Sequence, residues 1–74
     1  MRTHFIPENI VTEAVDVILN TRLLCGNERR AVFEFAHENG VEDRNKLWRI
    51  ANFRANATWN RWGREAGVPE KHLW

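Results

Sequence analysis

The chain has 74 residues, which allows one compact domain and no second. It contains no Ser, Gln or Tyr, so a serine nucleophile and a tyrosine acid are excluded, and its one cysteine, Cys25, cannot close an internal disulfide. The formal net charge of +1 excludes a uniformly basic or acidic surface, and the pI of 8.0 falls below the value above about 9 expected of a nucleic-acid-binding domain.

Four Trp, four Phe, five Leu, four Ile and six Val supply enough apolar surface for a folded domain over residues 1–74. Met1-Arg2-Thr3-His4-Phe5 leads into no uninterrupted apolar run, so no signal peptide is expected. Ile10 to Leu24 is the most apolar stretch, but Glu13, Asp16 and Arg22 interrupt it, and no membrane span is expected. These features predict a cytoplasmic protein.

In chain order, a first helix is predicted over about residues 7–25. Pro7 suits a first helical turn, and Glu8 complements the positive helix end. At 100° per residue, Ile10, Val11, Ala14, Val15, Val17, Ile18 and Leu19 fill one broad arc, and Thr12, Glu13, Asp16 and Asn20 the other. An arc that wide predicts contact with two other helices. Cys25 is read as a small apolar residue at the helix end.

A second helix is predicted over about 28–39, capped by Asn27, with Ala31, Val32, Phe35 and Ala36 as its apolar face. Arg30 and Glu34 stand one turn apart on its outer side. A third helix is predicted over about 43–66, capped by Asp43, with Gly63 as a weak point within it. A short turn over 69–73 ends the chain. Gly26, Gly40 and Gly67 fall where left-handed caps would stop the helices. The expected fold is therefore all-α, a compact three-helix domain with a short C-terminal fourth turn.

Charge separates the two halves of the chain. Residues 1–43 hold four basic and eight acidic side chains, whereas residues 44–74 hold seven basic side chains against Glu65 and Glu70. Between Arg44 and Arg64 there are six positive side chains and no negative one, which makes a local positive field on so small a domain. Pairing of this run with the acidic half is the competing expectation.

The third helix divides into three stripes. Leu47, Trp48, Ala51, Ala55, Trp59, Trp62 and Ala66 share one arc and are read as core, with Trp59 among the most buried residues. Asn45, Arg49, Asn52, Asn56 and Asn60 share the next. Lys46, Arg54, Arg61 and Arg64 lie on the third, with Ile50 and Phe53 among them. Asn is a middling-to-poor helix former, so a row of Asn on a helix surface has a propensity cost that Glu or Lys would avoid. Asn and Arg are also the side chains that read adenine and guanine edges.

Other constellations are weaker. Segments 35–53 and 62–74 both show a helix, glycine, apolar residue order that fits the helix-turn-helix pattern only loosely. Glu34 and His37 form a single Glu-x-x-His pair, where a di-iron bundle needs two. His4, His37, His72 and Cys25 lack zinc-site spacing, and no glycine-rich phosphate loop is present. No metal, cofactor or catalytic activity is expected.

The expected function is a small non-catalytic regulator that binds nucleic acid through the basic face of the third helix. Arg44, Lys46, Arg54, Arg61 and Arg64 would grip phosphates, Arg49, Asn52 and Asn56 would face bases, and a homodimer would double the footprint. The rival expectation is a protein-docking module, an inhibitor or adaptor whose basic helix enters an acidic groove. Ile50 and Phe53 would then be anchors, and Arg54 and Arg61 the rim.

Overall fold

The computed structural model describes residues 6–24 and 27–73, except for the side chains of residues 22–24 and 72. The expectations for His4, Cys25 and Gly26 lie outside those residues. The chain forms α1 (Glu8–Leu24), α2 (Glu28–Glu38), α3 (Arg44–Ala66) and a single 3-10 turn at Glu70–His72. It is an all-α domain of three helices, as its periodicity predicts.

α1 begins where Pro7, which has no N–H to give, offers its carbonyl to the N–H groups of Ile10 and Val11 at 3.1 and 3.2 Å. Val11, Ala14, Ile18 and Leu19 are buried, with Ile10, Val15 and Val17 packed around them. Thr12, Glu13, Asp16 and Asn20 face solvent. The apolar arc is broad because α1 packs against both α2 and α3.

α2 buries Val32 and Ala36. Asn27 is not the cap its residue type predicts. Its backbone sits at φ −95°, ψ 45°, outside the extended conformation of a capping residue, and its side chain makes no capping hydrogen bond. The other end closes as expected: Gly40 adopts φ 68°, its N–H donates to the His37 carbonyl at 3.2 Å, and Val41 N–H donates to the Ala36 carbonyl at 2.9 Å.

Asp43 does cap α3, its Oδ1 accepting the Lys46 N–H at 3.1 Å. α3 then runs for 23 residues, about 34 Å at 1.5 Å per residue. Cation–π contacts place it against α2 in opposite order along the two helices: Arg44 lies over Phe33 and Arg29 reaches Trp48.

The tryptophan stripe differs from expectation. Leu47, Ala51 and Ala55 are sealed, while Trp48 and Trp59 are half-buried at the core margin. Trp62 is 46% exposed and Ala66 is exposed. The largest fully buried side chains are Ile18, Leu47 and Val32, not Trp59. For Trp62 and Ala66 the cause is helical drift. Steps of four residues turn about 400°, so a line of buried residues advances about 40° per step around the helix. Leu47, Ala51, Ala55, the half-buried Trp59 and the buried Gly63 lie on that winding line, whereas Trp62 and Ala66 stand beside it.

Gly63 is also not the weak point its propensity suggests. A Cβ there would run into Cδ2 of Leu73 and come within 3.4 Å of Val68 Cβ. Its bare backbone is the floor on which the C-terminal segment folds back. The reversal is made at Gly67, which adopts φ 80°, with Val68 N–H donating to the Gly63 carbonyl at 2.7 Å.

Candidate functional site

The ridge opposite the core carries the exposed charge. Residues two positions apart on a helix point about 200° from each other. The residues lying two beyond Leu47, Ala51, Ala55 and Trp59 are Arg49, Phe53, Ala57 and Arg61, and all four are exposed. Phe53 is 76% exposed. Arg64 is exposed beside the end of this ridge, and its first carboxylate, Glu65, comes one turn beyond Arg61. From Arg49 to Arg61 the ridge extends about 18 Å.

Of the ten residues the sequence nominates, the structure therefore brings four to one outward surface: Arg49, Phe53, Arg61 and Arg64. The other six are placed elsewhere. Arg44 turns toward α2, its guanidinium 5.9 Å from the Phe33 ring centre. Arg54 reaches across to α1 and pairs with Glu8, one realised instance of the basic run meeting the acidic half. Lys46 is half-buried, and Ile50 is half-buried against the core. The core thus takes up part of Ile50 but leaves Phe53 exposed.

The asparagine row is not the exposed base-reading row it resembles on a helical wheel. Asn52, Asn56 and Asn60 are all half-buried, and only Asn45 faces solvent freely. Asn52 and Asn60 are each engaged within the chain. The Oδ1 of Asn56 is fully buried, with no hydrogen-bond partner among the described residues. An acceptor placed that way is withdrawn from solvent and cannot meet a base edge.

A second feature was not anticipated. The guanidiniums of Arg29 and Arg44 both lie over Phe33, at 5.4 and 5.9 Å from its centre, and Arg29 is also 6.0 Å from the Trp48 ring. Each contact contributes about 0.5–1 kcal/mol at an exposed site. The four-residue spacing of Arg29 and Phe33 was the available signal. Arg29, Phe33 and Arg44 line an open groove of about 810 Å³ together with Asn27, Arg30, Glu34, His37 and Glu38. Arg30 pairs with Glu34 at 3.4 Å, so the groove is mixed in charge and less suited to an anion than the α3 ridge. Glu34 and His37 both face solvent. Among the described residues no three His, Cys, Asp or Glu side chains come together, and no helix is long and apolar enough to cross a membrane.

No protein-family model, curated protein or solved structure matches the chain.

Proposed function

We propose that the protein is a non-catalytic binding module that engages nucleic acid through the outer ridge of α3. The observation that carries this reading is the row Arg49–Phe53–Ala57–Arg61 with Arg64 beside it, exposed along its length and free of carboxylates until Glu65. Guanidiniums so placed suit phosphate oxygens, and they raise the local concentration of a polyanion whatever the total charge. Arg49, Arg61 and Arg64 are the phosphate contacts, and a homodimer would double a footprint that is short in one copy.

A salt titration tests this. Binding of labelled nucleic acid should weaken with salt, and Arg61→Ala should make the slope of log affinity against log salt shallower by about one unit. Absence of binding at low salt would reject the proposal.

The exposure of Phe53 supports a second reading, in which the ridge docks on an acidic protein groove with Phe53 as its anchor. In that case affinity for nucleic acid is negligible at physiological salt. Phe53→Ala then weakens the protein complex more than any single Arg change.

A further inference from the structure

The position of Phe53 narrows the partner, given the nucleic-acid reading on which this step rests. Reading adenine edges in a duplex requires Asn or Gln side chains that reach into the major groove. The structure withdraws them: Asn52, Asn56 and Asn60 are half-buried, and the Oδ1 of Asn56 is turned fully inward. What projects in their place is one aromatic ring. Phe53 is 76% exposed, with Arg49 about 6 Å before it on the ridge and Arg61 about 12 Å beyond it.

An outward ring has little to gain in the major groove, where only the thymine methyl offers an apolar contact. An unpaired base presents a whole π-face, and stacking of bases on aromatic side chains beside positive charges is how proteins hold single strands without reading their sequence. The same ring is a poor protein anchor by itself. Ile50, which would have enlarged the apolar patch, is packed against the core, so Phe53 stands with Arg49 and Ala57 as its ridge neighbours.

We infer that the α3 ridge is a single-strand platform: Phe53 stacks on an unpaired base, and Arg49, Arg61 and Arg64 hold the flanking phosphates, with little sequence preference.

The test uses the full chain and a fluorescein-labelled 20-nucleotide strand of mixed sequence, alone and annealed to its complement, across a salt series. The single strand should bind at least tenfold more tightly than the duplex. Its log affinity should fall against log salt with a slope of about −2, from about −0.7 per phosphate for three arginines. Phe53→Ala and Phe53→Leu should each cost about tenfold on the single strand and leave duplex binding unchanged, because leucine keeps apolar bulk but no π-face. Duplex binding as tight as single-strand binding would overturn the inference while leaving the nucleic-acid reading in place, and so would full affinity in Phe53→Leu. Binding to neither form would remove both.

Discussion

The two halves of α3 follow one sequence rhythm and meet different fates. In the first half, Leu47, Ala51 and Ala55 are sealed between α3 and the other helices. In the second, Trp59 is half-buried, Trp62 and Ala66 are exposed, and the one buried position is Gly63, covered by the returning Leu73. Apolar residues at helical spacing therefore become core only where a partner element lies along their line. The small alanines of the first half let the helices approach closely, while the bulky indoles of the second sit at the margin.

This contrast predicts a graded response to truncation, measured by denaturant unfolding. Leu47→Ala should have the largest effect, a loss of about 2–5 kcal/mol, because it empties the centre of the core. In so small a domain that can abolish folding; Ile18→Val, about 0.5–1.5 kcal/mol, then serves as the gentler probe of the same core. A loss below 0.5 kcal/mol for both would mean that the first half of α3 is not the packed half.

A smaller effect is expected at the C-terminal clamp, where two forces oppose. Ala is the better helix former than Gly by about 1 kcal/mol, yet its Cβ displaces Leu73. Leu73→Ala removes that conflict. Gly63→Ala should therefore stabilise the Leu73→Ala background by about 1 kcal/mol and give less, or a net loss, in the native chain. Equal effects in both backgrounds would show that Leu73 does not rest on Gly63.

The least effect belongs to Trp62. Half of its side chain already meets water, so Trp62→Ala should cost on the order of 1 kcal/mol, well short of the about 3–5 kcal/mol of a sealed aromatic. A loss as large as that of Leu47→Ala would erase the distinction between the two halves.

The chain's own order of residues determined the helices and most of their limits. Pro7 and Asp43 start α1 and α3, Gly40 and Gly67 stop α2 and α3, and the α1 arc foretells its contact with both neighbours, because these are local properties of backbone and period. Composition also marked α3 as the helix bearing the positive field. The tertiary structure alone decided which of its residues face outward. Arg44 and Arg54 are exposed as Arg61 is, but their guanidiniums are engaged by Phe33 and Glu8, which only the fold brings near. Ile50 and Phe53 look alike in sequence, and the packed core separates them, taking up part of one and leaving the other exposed. Gly63 reads as a defect until Leu73 returns to fill the space that a side chain would have occupied. Period and caps act within a turn or two of chain, whereas exposure depends on which distant surface arrives opposite. For that reason the elements were legible in the sequence and the binding ridge only in part.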